Sequence, residues 1–129
     1  ICKMATIRRF EDIQAWQKAR ELVQEIYKMS SVGRFGKDYG LRDQIQRAAV
    51  SAMSNIAEGF ARKSRKDFSH FLSFARASAV EVQSLLYVAL DTRGMDRSQF
   101  DMLYHKSEEV ISMTTRLMAY LNKKESPLQ

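Results

Sequence analysis

The stretch Ser54-Asn-Ile-Ala-Glu-Gly-Phe-Ala-Arg-Lys-Ser-Arg-Lys66 ends one apolar-periodic run, places four cations within five residues, and then opens another such run. Ser64 followed by Asp67 is a helix-start pattern, a hydroxyl that caps free backbone N–H groups with an acid three positions on. The pattern predicts a helical hairpin with a cationic corner at Arg62, Lys63, Arg65 and Lys66.

Working outward, the helix before the corner opens near Leu41 and carries Leu41, Ile45, Ala48, Ala49, Ala52, Ile56 and Phe60 on one face. Small side chains dominate its middle, so a neighbouring helix can approach closely. Gly59 costs about 1 kcal/mol relative to alanine inside a helix. It marks either a close contact or the start of the turn.

The helix after the corner starts at Arg65, with Phe68, Phe71, Leu72, Ala75, Ala79, Val82, Leu86 and Ala89 as its stripe. It is expected to stop near Asp91, where Arg93 and Gly94 supply a basic end and a glycine terminator. Asp96 with Gln99 offers another cap. Phe100, Leu103, Val110, Met113, Leu117 and Leu121 carry the last helix to about Asn122. Upstream, Ala15, Ala19, Leu22, Ile26 and Met29 draw a stripe flanked by Trp16 and Val23 on a helix spanning Phe10 to Met29. Between Ser31 and Gly40 three glycines break the period, and a loop of about ten residues is expected there.

Four amphipathic helices joined by short connections predict an all-α, antiparallel up-down-up-down four-helix bundle. The expected organisation is a flexible segment over residues 1–9, the bundle over 10–122, and a frayed tail over 123–129. Residues 1–3 precede Met4, a candidate natural initiator, and are set aside as candidate non-native residues. The chain has 129 residues, of which 45% are hydrophobic, enough for one core in one domain. One proline and five glycines disfavour a turn-rich β architecture.

Cys2 is the single cysteine, which excludes an intrachain disulfide. No leader-like or membrane-spanning apolar run is visible. A cytoplasmic protein is the expectation.

The formal net charge is +6. Residues 1–87 carry fifteen lysines and arginines against nine acids, while the remainder is balanced, so the whole surplus lies in the first two-thirds. Such a field suits nucleic acid or an acidic surface. The candidate nucleic-acid contacts are Arg62, Lys63, Arg65 and Lys66 at the corner, Arg42 and Arg47 on the second helix, and Arg8, Arg9, Lys18 and Arg20 around the first. A merely solvated turn is the competing reading of the corner. Repetition around an oligomer would favour the phosphate-binding one.

No catalytic motif is present. His70 and His105 lack the Glu-x-x-His partners of bundle metal sites and read as ordinary helix residues. Gly33, Gly36 and Gly40 lack the strand and Gly-Lys-Ser/Thr of a phosphate loop. No enzyme, metal or cofactor is expected. Glu58, Arg76 and Glu81 interrupt small-residue parts of their helices and read as a structural ion pair or triad, with a polar ligand site as the alternative. Phe10, Ile13, Trp16 and Tyr27 exceed the stripe of the first helix and are the candidate oligomer interface, although a broad core stripe explains Trp16 equally well.

Phe10-Glu-Asp-Ile-Gln-Ala-Trp-Gln-Lys-Ala-Arg20, Tyr39-Gly-Leu-Arg-Asp-Gln-Ile-Gln-Arg-Ala-Ala-Val50, Ser54-Asn-Ile-Ala-Glu-Gly59 and Phe71-Leu-Ser-Phe-Ala-Arg-Ala-Ser78 resemble the four-helix-bundle proteins encoded in intervening sequences of bacterial 23S ribosomal RNA genes. The resemblance runs from Phe10 to about Leu121. Through that family's relation in fold to the accessory variability protein of diversity-generating retroelements, it implies a homopentameric barrel with a basic surface. In the retroelement setting such a barrel binds RNA or DNA and a partner reverse transcriptase. The matching charged positions are Arg42, Arg47, Glu58 and Arg76, to which the resemblance assigns no roles. Where that family's pattern suggests a proline, this chain has Ala52-Met53, which puts a kink there in doubt. A protein-interaction scaffold that never touches nucleic acid remains the alternative function.

Overall fold

The structure, a computed structural model, describes residues 7–124; Cys2 and the segment 125–129 lie outside the described residues. The described chain is all-helical, without strands: a 3-10 turn at Phe10–Asp12, then α1 (Gln14–Ser30), α2 (Gly33–Lys37), α3 (Tyr39–Ala61), α4 (Arg65–Asp91) and α5 (Arg97–Lys124). Of the expected ranges, 1–9 is described only from Ile7 onward, and the last helix runs two residues past Asn122.

α1 starts four residues later than the periodicity suggests. The Asp12 carboxylate accepts the backbone N–H groups of Arg8 and Arg9, both at 3.3 Å, and the Ile13 N–H closes on the Phe10 carbonyl at 3.0 Å. These bonds tighten Phe10–Asp12 into a separate turn and leave Ile13 extended as the residue preceding α1. From there Ala15, Ala19, Leu22, Ile26 and Ser30 bury one face.

The expected loop at Ser31–Gly40 is corrected. It contains α2, and Phe35 in that short helix is only 1% exposed. The Asp38 carboxylate then accepts the Leu41 N–H at 3.2 Å and caps α3. α3 runs through Ala52-Met53 without a break.

The corner forms as the sequence suggests. Ser64 Oγ accepts the Asp67 N–H at 3.2 Å and caps α4. At the other end of α4 the terminator is Arg93, which takes the left-handed conformation (φ +63°) expected of the glycine beside it. The Gly94 N–H reaches the Ala89 carbonyl at 2.7 Å and the Arg93 N–H reaches Leu90 at 3.1 Å, the two bonds of a Schellman cap. Asp96 and Gln99 exchange backbone-to-side-chain bonds at 3.0 and 2.8 Å, a capping box opening α5.

The long helices close around one core: α3 packs on α4, α4 on α5, and α1 on both α3 and α5. The α3–α4 contact is the most extensive, as the alanines allow, with Ser51 Oγ and Ser78 Oγ 2.9 Å apart. Cross-helix pairs fix the register: Gln44 with Glu81 and Ser51 with Ser78, Gln83 with Glu108 and Arg76 with Thr115, Lys18 with Glu109 and Glu21 with Lys106. In each set one residue number rises as its partner's falls. The buried hydroxyls are partnered: Ser30 Oγ accepts from Gln46 Nε2 at 2.8 Å and Thr114 Oγ1 donates to the Val110 carbonyl at 2.9 Å.

Candidate nucleic-acid interface

The register gathers the basic residues into two groups. The end holding the α3–α4 corner also holds the start of α1, because the 3-10 turn packs on α3 as well as α1, and the end of α5, because Arg65 Nε donates to the Leu121 carbonyl at 3.4 Å. Arg8, Arg9, Arg62, Lys63, Arg65 and Lys66 therefore share one end. Arg42 sits in the first turn of α3, beside Gly36 of α2, at the other.

Several of the candidate cations are already engaged. Arg42 pairs with Asp43 at 3.1 Å, donates to the Gly36 carbonyl at 3.3 Å, and lies 4.7 Å from the Tyr39 ring. Lys18 lies between Glu21 (3.5 Å) and Glu109 (3.9 Å). Arg20 rests over Trp16 at 5.9 Å. Arg9 is held by Glu11 at 2.8 Å; that hydrogen bond holds Glu11 below the ordinary carboxylate range and raises the guanidinium, so the pair stays ionised and mutually neutralised at neutral pH. Arg47 is exposed on α3 with no acid within ion-pair distance among the described residues.

The corner is different. Among the described residues no acid lies within ion-pair distance of Arg8, Arg62, Lys63, Arg65 or Lys66, and all but Arg65 are exposed. Arg62 lies 4.8 Å from the Phe71 ring, and Arg65 lies 5.4 Å from that of Tyr120. Lys63 is left-handed (φ +62°), a conformation costing about 1–2 kcal/mol for a residue with a side chain. Asp67 in the first turn of α4 is the nearest countercharge in sequence.

Two expectations are corrected. Glu58, Arg76 and Glu81 form no ion pair or triad: Glu58 is exposed, Arg76 donates to Thr115 Oγ1 at 3.3 Å, and Glu81 accepts from Gln44 at 3.4 Å. Each falls beside the buried row, where a charge reaches water. Ile13 is no interface residue, being 2% exposed in the core; Phe10 and Trp16 are half-buried, packing on that core with their rings edge to face at 5.1 Å and part of each open to solvent. Of that set Tyr27 is the most exposed, at 43%.

An exposed apolar surface lies on α4 instead, although its Tyr87 ring rests against Phe100 and Tyr104 of α5 at 4.9 and 6.1 Å. Phe74, Val80, Tyr87 and Val88 are each 43–49% exposed, with Ala77 open between them. His70 and Phe71 extend this face, their rings 4.5 and 6.0 Å from that of Phe74. The sequence does not set this face apart, because α4 is apolar well beyond its core stripe. His105 is exposed and lies 3.6 Å from Glu109. Among the described residues no three His, Cys, Asp or Glu side chains gather as metal ligands, and no helix is long and apolar enough to cross a membrane.

Comparison with known proteins agrees with the helical architecture. The family model described as 23S rRNA-intervening sequence protein matches residues 11–116. A crystal structure of a protein of unknown function from the S23 ribosomal protein family of Bacteroides thetaiotaomicron superposes with a TM-score of 0.76 at 24% identity, over 81% of this chain and 95% of that one. No curated protein matches. The chain belongs to the 23S rRNA-intervening sequence protein family.

Proposed function

We propose that this family member is an oligomeric, non-enzymatic, basic nucleic-acid-binding accessory protein of the cytoplasm. The observation that carries the reading is the cluster of cations without acidic partners at one end of the molecule, where Arg62, Lys63, Arg65 and Lys66 fall within five residues, while Arg9, Lys18 and Arg42 are paired with acids. Phosphate binding uses unpaired charge, and release of condensed counterions supplies most of its affinity. The finer architecture in this reading is the antiparallel up-down-up-down four-helix bundle, supported by the opposed numbering of the cross-helix pairs, with α2 added between the first two long helices.

The finer role is that of an accessory variability factor, which joins the RNA or DNA of a diversity-generating retroelement to its reverse transcriptase. It rests on the resemblance set out above. Binding without sequence preference is expected, weakening steeply with salt. Replacing Arg62, Lys63, Arg65 and Lys66 together by serine or glutamine should flatten the dependence of log affinity on log salt by about three units per engaged protomer. An unchanged slope in a filter-binding or anisotropy titration would remove the corner from the interface.

Self-association is part of the proposal, as a homopentamer that sets copies of the corner around one axis. The surface supporting it is the open α4 face rather than α1, since contiguous exposed apolar groups mark association sites. Light scattering of the purified protein should give five protomer masses. Phe74→Glu with Val80→Glu should give one, with helicity retained by circular dichroism. A wild-type protein that scatters as a monomer at micromolar concentration rejects the assembly.

The second reading is a scaffold that acts through protein contacts alone. It is favoured by the same α4 face and by the internal pairing of Arg9, Lys18 and Arg42. Absence of any mobility shift at low salt with single-stranded, duplex and hybrid probes would select it.

A further inference from the structure

A cleft of about 160 Å³ opens at the corner, lined by Phe60, Lys63, Ser64, Arg65, Phe68 and Leu121. Its composition is divided. Phe60 and Phe68 form an aromatic wall, their rings edge to face at 6.0 Å, with Phe60 half-buried and Phe68 buried. Lys63, Ser64 and Arg65 form a polar edge made by three consecutive residues.

Arg65 is the unusual member. Its Nε donates to the Leu121 carbonyl at 3.4 Å, and its guanidinium lies 5.4 Å from the Tyr120 ring, so the side chain is fixed in place. Yet Nη2 is sequestered from solvent and meets no hydrogen-bond acceptor, alone among buried side-chain polar atoms of the described residues. A guanidinium carries five N–H donors in a rigid fork, and a donor buried without an acceptor is costly. Arg65 as a whole is only half-buried and lines the cleft, so its cation is open to an incoming oxyanion there. Lys63, unpaired and held in a left-handed conformation at the same edge, adds a second cation.

We infer that this cleft takes one unpaired nucleotide of a single strand, its phosphate on Arg65 and Lys63 and its base against Phe60. An oxyanion alone would leave the aromatic wall without a use, and an apolar ligand alone would leave the cationic edge of Lys63 and Arg65 unanswered. A nucleotide carries both groups, and bases stack on aromatic side chains without regard to sequence. A base held in a duplex cannot present its face to the wall, so the cleft makes the protein prefer single strands. This inference rests on the nucleic-acid reading above and names the form of nucleic acid that the corner selects.

The test is fluorescence anisotropy at low salt with a labelled single-stranded oligonucleotide and a duplex of the same length, on wild type and two variants. Phe60→Leu keeps the apolar bulk and removes the ring; Arg65→Lys keeps the charge and removes the fork. Phe60→Leu should weaken single-strand binding by about tenfold, the size of one lost base stack, and leave duplex binding unchanged, and Arg65→Lys should weaken single-strand binding more than duplex binding. Melting curves matching wild type show that the fold is retained. If wild type binds both probes and the variants lose affinity for both equally or for neither, the cleft is not a nucleotide site, while the electrostatic interface stands. If wild type binds no probe, the nucleic-acid reading fails and takes this inference with it. Equal competition by a polyglutamate peptide of matched length would assign the cleft to acidic protein and overturn the inference.

Discussion

Phe35→Ala should lower the stability of the protein by about 3–5 kcal/mol, the cost of truncating a fully buried aromatic side chain. The ring lies in α2, the five-residue helix between α1 and α3, and is 1% exposed. α2 touches both α1 and α3, and the backbone of Gly94 in the α4–α5 turn lies close enough that a Cβ built there would be 3.4 Å from that of Phe35. Phe35 thus closes the end of the core opposite the cationic corner, with Met95 buried nearby in sequence to Gly94. A helix this short has no stability of its own in water, so its docking depends on the ring. Single domains have about 5–15 kcal/mol in total, so the loss is a large share of the whole. Thermal melting should fall by about 10–20 °C. A variant that melts within about 2 °C of wild type would mean that α2 is not docked as described.

The reason Phe35 was illegible in the sequence is physical. Gly33, Gly36 and Gly40 interrupt the apolar period, and one buried residue in five cannot display a period of 3.6. Tertiary docking makes that segment helical, and docking leaves no local signature. The long helices are the opposite case. Ala15, Ala19, Leu22 and Ile26, or Leu72, Ala75, Ala79, Val82 and Leu86, repeat often enough that the buried face follows from spacing alone. Caps are equally legible, because Ser64 with Asp67 and Asp96 with Gln99 act through atoms three residues apart.

The site divides along the same line. The cationic corner is contiguous in sequence and could be read directly. Whether a cation is neutralised depends on partners such as Glu109 for Lys18, ninety-one residues away, and no local pattern carries that. The cleft is still less visible, since Leu121 and Tyr120 reach Arg65 only once α5 lies beside α4. Glu58, Arg76 and Glu81 are not placed by local sequence, because a charge among small residues can belong to a buried row or to its edge. One helical step of about 100° decides between them.

Gly59→Val should cost about 3 kcal/mol, and Gly59→Ala should also destabilise, against the usual trend. Replacing a helix-interior glycine by alanine normally gains about 1 kcal/mol. Here Gly59 is buried within α3 against α4, and an added Cβ would stand 2.7 Å from the Phe71 Cβ, 3.0 Å from Phe68 Cδ1 and 3.3 Å from the Phe68 carbonyl oxygen. Phe68 can turn its ring away, but a Cβ and a carbonyl are fixed to the backbone, so α3 and α4 must part. Parting them strains the same interface that brings Ser51 and Ser78 to 2.9 Å. Overpacking of this kind costs about 1–3 kcal/mol, enough to outweigh the propensity gain for alanine and to exceed it further for valine, which forgoes most of that gain and adds two methyl groups. Urea titration of the three proteins measures the order directly. A Gly59→Ala protein about 1 kcal/mol more stable than wild type would show a helix end free of close packing, the alternative that the sequence left open. The expected order instead makes Gly59 the point where the hairpin is pinched shut, one residue before Phe60 enters the cleft wall, so that the closeness of two backbones sets the position of the aromatic surface at the corner.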